Sequence, residues 1–281
     1  MLCRAYGAET IGDSWQDVGR SSVVEAYRQG WLNETALSAP RSPMCRSVLV
    51  ESAFAAADVP VYDSTLYEGG ASLSTADNIL RVGRELGLCS DDADTNALVT
   101  RGDAAIILHV VLTQSFRIEE PPVPVTLVNA AGVNINDYLL ALRQVPEPVL
   151  AAFNAAGWTY RIDFDYMGGL SKKLNMSCIG ATNYSQKTIY LSEASATLHE
   201  FGHFLDWMLG FPAEYEQLFR AEASAAPLRN YAKTDSREYF ADCFAYWVKY
   251  AENANAISLL QECAPMTYRY MEDLMRIANR L

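Results

Sequence analysis

The stretch Thr197-Leu198-His199-Glu200-Phe201-Gly202-His203-Phe204-Leu205-Asp206 constrains this chain more than any other. Two histidines stand four residues apart, with a glutamate directly after the first. On a helix, positions i and i+4 share a face one turn apart, so both imidazoles can converge on one ion. The H-E-x-x-H pattern is what a helical zinc peptidase site requires: two nitrogen ligands, and a carboxylate beside them to work on a water. The flanks agree. Lys187-Thr188-Ile189-Tyr190-Leu191 alternates, is β-rich and reads as a strand. Ser192 predicts an N-cap and Glu193 suits a first helical turn. Leu198, Phe201, Leu205 and Met208 recur at helical spacing, and Gly210 and Pro212 mark the stop. The chain has only 3 histidines, so two in register argue against a chance surface helix.

Two histidines leave zinc short of ligands, because a catalytic site uses three protein groups and keeps one position open. A third histidine in H-E-x-x-H-x-x-G-x-x-H is excluded, since position 206 is Asp and position 209 is Leu. No histidine follows His203, so the ligand must be a carboxylate or a tyrosine. Ser236-Arg237-Glu238-Tyr239-Phe240-Ala241-Asp242-Cys243-Phe244 supplies one. Glu238 and Asp242 share a helix face, while Phe240, Cys243, Phe244 and Trp247 form the apolar one. Carboxylates on a mostly apolar helix are costly to bury unless they are paired or bind metal. Glu238 is therefore assigned as ligand. Asp242, one turn on, is assigned to accept a hydrogen bond from a ligand histidine's other nitrogen. The competing reading makes Asp235 an N-cap and Glu238 its capping-box partner. Tyr231, seven residues before Glu238, tips the choice toward the ligand.

The set His199-Glu200-x-x-His203, Tyr231 and Glu238-x-x-x-Asp242 resembles the anthrax toxin lethal factor catalytic domain and the small Pro-Pro endopeptidases. The resemblance covers roughly residues 125–281 and departs at Asp242, where lethal factor has glutamate. It implies a gluzincin-type zinc metalloendopeptidase with a zincin-like α+β fold: a small sheet, an active-site helix and C-terminal helices. It also implies metal ligands His199, His203 and Glu238, Glu200 as base, and Tyr231 as donor to the oxyanion. By resemblance to zincins generally, Ile179–Tyr184 is the sheet edge to which a peptide substrate adds, giving Ile179, Gly180, Ala181 and Thr182 as substrate-binding residues. Cleavage at Pro-Pro sites and an extracellular or cell-surface bacterial setting are further implications. The alternative is an inactive zinc-binding or wall-anchoring surface protein.

The first part of the chain has another character. Residues 13–115 look like two copies of one helical unit. Val23–Leu32 and Ile79–Leu88 are helices ending near Gly30 and Gly87. Met44-Cys45-Arg46-Ser47 and Thr100-Arg101-Gly102-Asp103 then open apolar helices through Ala57 and Leu112. This arrangement resembles S-layer homology repeats, which implies wall-polysaccharide binding. Capping alone, Thr100 with Asp103, also explains the second start and is the preferred reading. His109 sits on an apolar pattern and is read as a core residue. Glu119-Glu120-Pro121-Pro122-Val123-Pro124-Val125 is the candidate linker, extended and semi-rigid. The domains are thus 1–118 helical, 119–125 linker and 126–281 catalytic.

Beyond the linker, 135–145 and 146–156 read as helices, 158–166 as a strand and 167–176 as a loop around Gly168-Gly169. Residues 177–184 and 187–191 read as strands, and 213–225 and 236–252 as helices, with two more toward Leu281. A net charge of −12 argues against nucleic acid or an anionic membrane as partner. No apolar run approaches the ~20 residues of a membrane span. Met1–Ala8 is too short for a secretory h-region, which predicts either an intracellular protein or a chain lacking its original start. The 6 cysteines are scattered without a C-x-x-C pair, and Cys243 reads as a buried thiol.

Overall fold

A computed structural model describes residues 2–8, 15–39, 41–90 and 92–278. It divides into two compact units, Met1–Pro122 and Val123–Leu281. Residues 13–14, where the first repeat copy begins, and Leu281 lie outside the described residues.

Unit 1 is helical: α1 (Leu2–Ala5), α2 (Trp15–Arg28), α3 (Glu34–Ser38), α4 (Arg46–Ala56), α5 (Thr75–Glu85) and α6 (Arg101–Thr113). Its core joins Val50, Ala53 and Phe54 of α4, Leu80 and Val82 of α5, and Ile107 of α6. Gly30 and Gly87 take the left-handed conformation just past α2 and α5, as helix-ending glycines do. Thr100 and Asp103 form the reciprocal capping box. A short backbone bridge, Arg46 N to Ala97 O and Val99 N to Met44 O at 3.0 Å each, ties the starts of α4 and α6 together. His109 corrects the sequence reading: it is exposed, as are Ile106 and Leu112, because only Ile107, Leu108 and Val111 of α6 turn inward.

Unit 2 is α+β. In order it holds β1 (Leu127–Asn129), α7 (Asn136–Leu142), α8 (Glu147–Ala155), β2 (Thr159–Ile162), α9 (Phe164–Leu174), β3 (Gly180–Asn183) and β4 (Thr188–Leu191). Then follow α10 (Thr197–Met208), α11 (Ala213–Glu222), α12 (Ser236–Tyr250), α13 (Ala254–Cys263) and α14 (Pro265–Ala278). The sheet order is β1-β2-β4-β3, parallel except for β3, which pairs antiparallel with β4 at the edge. β4 is buried throughout, as a strand covered on both faces must be. Phe153, Trp158, Phe201 and Phe204 pack as an aromatic cluster between α8, the start of β2 and α10. The buried Tyr160 hydroxyl meets the Thr197 hydroxyl at 2.7 Å and fixes the start of α10 against β2.

Other readings change in unit 2. Residues 167–176 are mostly helix, not loop: Asp163 caps α9 by accepting from Tyr166 N at 2.9 Å, which also ends the preceding strand at Ile162. Two glycines cost about 1 kcal/mol each in a helix. Burial of Met167 and the stack of Tyr166 on Tyr190 oppose that cost. Ser192 is not the cap of α10, because its N–H still closes the β3–β4 ladder on Ile179 O at 2.9 Å. A 3-10 turn, Ala194–Ala196, comes before the helix instead. β1, too short to show a period, went unread. No described helix is long and apolar enough to cross a membrane. The 6 cysteines are free, with Cys243 buried.

Candidate metal centre

Two helices build the centre. On α10, His199 and His203 lie one turn apart; on α12, Glu238 and Asp242 do the same. The helices can touch because α10 carries Gly202 where they cross. A Cβ there would lie 2.6 Å from the Ala241 Cα and 2.8 Å from its carbonyl oxygen. This close approach sets one pair of side chains directly against the other.

The result is a convergence of three ligand atoms. His199 Nε2 and His203 Nε2 are 3.1 Å apart, and Glu238 Oε2 lies 3.1 Å from the first and 3.4 Å from the second. One ligand atom from each residue falls within 4.8 Å of the others. Glu238 Oε2 is buried and lies against both imidazole nitrogens. Two imidazole Nε2 atoms and a carboxylate oxygen therefore meet in one small volume. A cation at its centre would give all three a partner, so the residues present fit a metal ion.

Glu238 serves no capping box. Asp235 does cap α12, accepting from Arg237 N and Glu238 N, but the Glu238 side chain turns to the histidines. Burial raises its pKa, yet His199 and His203 outweigh burial and hold the carboxyl well below its usual range.

Asp242 stands where the sequence reading placed it. Its Oδ1 accepts from His199 Nδ1 at 2.6 Å, which turns Nε2 toward the cluster. The sequence reading missed Arg229. Its Nε donates to Asp242 Oδ2 at 2.6 Å and its Nη2 to Asp242 Oδ1 at 2.7 Å, the two-pronged geometry that guanidinium favours. Burial raises the Asp242 pKa, but His199 and Arg229 lower it further. His199 shows the reverse balance: burial lowers its pKa, and hydrogen bonds to Asp242 and Glu238 raise it to about 9. No sequence signal marks Arg229, because its partner lies thirteen residues away across a loop and a helix turn.

Glu200, between the histidines, is buried against the edge strand. The Thr182 hydroxyl donates to Glu200 Oε2 at 2.7 Å. Gly180 lies flat on the same side chain: a Cβ there would sit 2.5 Å from Glu200 Oε1 and 2.8 Å from the Ala196 Cβ. Burial raises the Glu200 pKa; His199, His203 and the Thr182 hydroxyl pull the other way. Thr182 and Gly180 thus seat the carboxylate. The bond from Ser192 N to Ile179 O sets the phase of the ladder. By antiparallel alternation Ile179 and Ala181 bond inward to β4, and Gly180 and Thr182 present N–H and C=O on the free edge.

Tyr231 lies in a 3-10 turn, Asn230–Lys233, just before α12. Its ring centroid is 6.2 Å from that of His199, and the Arg229 guanidinium lies 5.3 Å from it. Burial and the Glu238 carboxylate push its hydroxyl pKa well above the usual value, so the group stays a donor.

His199, Glu200, His203, Tyr231, Glu238, Asp242, Gly180 and Thr182 were candidates in the sequence, and the fold brings them together; Gly202, at the helix crossing, and Arg229, from the loop before Tyr231, were not. Residues 162–274 match the family described as "Anthrax toxin lethal factor, N- and C-terminal domain". No curated protein matches the chain in sequence. Among solved structures, the Pro-Pro endopeptidase from Paenibacillus alvei is similar at 19% identity and a TM-score of 0.42, over 53% of this chain and 96% of that one. The stretch that carries α10, Tyr231 and α12 is lethal-factor-like in sequence.

Proposed function

We propose that unit 2 is a zinc-dependent endopeptidase of gluzincin type. One observation carries this reading: His199, His203 and Glu238 converge while Glu200, seated by Thr182, lies between the two histidines on α10. Two imidazoles and one carboxylate are a donor set that suits zinc and leaves a position open. Zinc held there supplies Lewis-acid chemistry, activating a water and polarising the scissile carbonyl.

The chain's own residues do the rest. Glu200 takes the water's proton at its carboxylate and delivers it to the leaving nitrogen. Its raised pKa brings it closer to the range where a carboxylate works as both base and acid. Tyr231 donates a hydrogen bond to the oxygen that gains charge. Asp242, clamped by Arg229, holds His199 in one tautomer. The free backbone groups of Gly180 and Thr182 receive the peptide as an added antiparallel strand.

The finer proposal is a preference for proline-rich sites, Pro-Pro among them. It rests on the likeness of the His199–Asp242 residue set to the Pro-Pro endopeptidases. The same likeness supports an extracellular or cell-surface bacterial setting. For unit 1 the capping box supports a scaffold role, and wall-polysaccharide binding is the rival. The test is metal content together with cleavage of a peptide library by wild type and Glu200→Gln. Metal without cleavage in the wild type would move the reading to a zinc-binding surface protein.

A further inference from the structure

Three side chains that no catalytic step uses gather beside the metal centre. Tyr184 directly follows β3, and its ring meets Phe211 edge-on with centroids 5.5 Å apart. The Arg237 guanidinium lies 4.3 Å from the centroid of Phe211. Arg237 is the residue before the candidate ligand Glu238. Tyr184 feels the centre electrostatically: burial raises its pKa, as do Asp206, Glu200 and Glu238, while Arg237 opposes them.

Two features separate this group from ordinary packing. Phe211 has φ +54, in the left-handed region that bulky residues rarely enter. It follows Gly210 at φ +76, and its N–H closes α10 on Asp206 O at 2.9 Å. A glycine would hold that turn without strain; phenylalanine places a ring there. Residues held in such regions concentrate at functional sites. Second, Arg237 is exposed and makes no ion pair or side-chain hydrogen bond among the described residues. The chain has 34 acidic against 22 basic residues, so carboxylates are not scarce.

At 4.3 Å from the ring centroid the guanidinium has the Phe211 face as a cation–π partner, and its N–H groups have no side-chain hydrogen-bond partner among the described residues. Its N–H edge matches a carboxylate in two-pronged fashion. A peptide antiparallel to β3 would run from the Asn183 end toward the Gly180 end. Its residues near Tyr184 would therefore precede the bond held over Glu200. We propose that Tyr184, Phe211 and Arg237 form a subsite for an aspartate or glutamate side chain of the substrate, on the amino side of the scissile bond. The proposal rests on the endopeptidase reading and names a substrate class within it.

The test does not need turnover. The probes are a fluorophore-labelled octapeptide with the chain's own sequence 118–125, Ile-Glu-Glu-Pro-Pro-Val-Pro-Val, and its copy with both glutamates changed to glutamine. Binding to zinc-loaded Glu200→Gln is read by fluorescence anisotropy. The acidic peptide should bind about tenfold tighter than the amide copy. Adding Arg237→Gln should erase the difference, Arg237→Lys should keep part of it, and Arg237→Glu should favour a copy with lysines. Equal affinities for the Arg237 chain, or no binding of either peptide, would overturn the subsite. Library cleavage by the wild type tests the hydrolase separately. A chain that cuts nothing but prefers the acidic octapeptide keeps the subsite and loses the hydrolase.

Discussion

Gly202 on α10 and Ala241 on α12 meet backbone to backbone, and that contact sets the spacing of the candidate metal ligands. Glycine is unfavourable inside a helix by about 1 kcal/mol relative to alanine, so local preference alone argues for alanine. Gly202→Ala would instead force a methyl into the Ala241 backbone, where overpacking costs about 1–3 kcal/mol. The expected result is a lower melting temperature with helical content kept, and metal affinity at least ~10-fold weaker as the helices part. Chelator competition and thermal melts by circular dichroism check both. Wild-type affinity in this variant would mean the contact does not set the site.

Ligand roles should separate in a second series. Wild type should hold one zinc per chain, and His203→Ala should lose most of it. Glu238→Ala removes a charged ligand and should cost more affinity than Asp242→Ala, which removes a partner of His199 worth ~10–100-fold. Elemental analysis and competition titration give the ranking. The opposite order would exchange the roles of Glu238 and Asp242.

Arg229 tests whether the clamp on Asp242 matters. Its side chain is 53% exposed, but the carboxylate it grips is only 8% exposed. Removing one partner of a largely buried charge leaves the other poorly compensated. Arg229→Ala should weaken metal affinity about 10-fold, in the range expected for outer partners of a ligand. Arg229→Lys should recover only part, because an ammonium cannot bridge both carboxylate oxygens. Full affinity in Arg229→Ala would make the pair a surface ion pair of little consequence.

The sequence was most legible where a short period carries chemistry. His199, Glu200 and His203 follow from helical spacing, and Glu238 from a carboxylate on an otherwise apolar helix. Gly202 gave no such signal, and Gly180 entered only as part of the edge strand, not as the seat of Glu200, since a close approach depends on what arrives from elsewhere in the chain. Arg229 lies in an aperiodic loop, and only the folded distance to Asp242 reveals it. Residues 167–176 misled because paired glycines suggest a loop, while the cap that makes them helical, Asp163, stands outside the stretch. His109 misled for a related reason: an apolar run shows a buried face exists but not which third of the helix turns inward.

Tyr231 is the most sensitive test of the chemistry. It is 42% exposed, so its hydroxyl is not needed for the core. The ring rests beside Arg229 and faces His199, and those contacts survive loss of the hydroxyl. Burial and Glu238 keep the proton on the oxygen, so the donor is present across the working pH range. A donor that meets charge only as the carbonyl oxygen develops it acts on the rate and not on ground-state binding. Tyr231→Phe should therefore keep zinc content, fold and KM while kcat falls by about 10²–10³, the loss seen when one oxyanion donor is removed. Steady-state kinetics on a peptide that the wild type cuts gives the answer. If kcat holds and KM rises instead, the hydroxyl contacts bound substrate; if neither changes, Tyr231 only packs on Arg229.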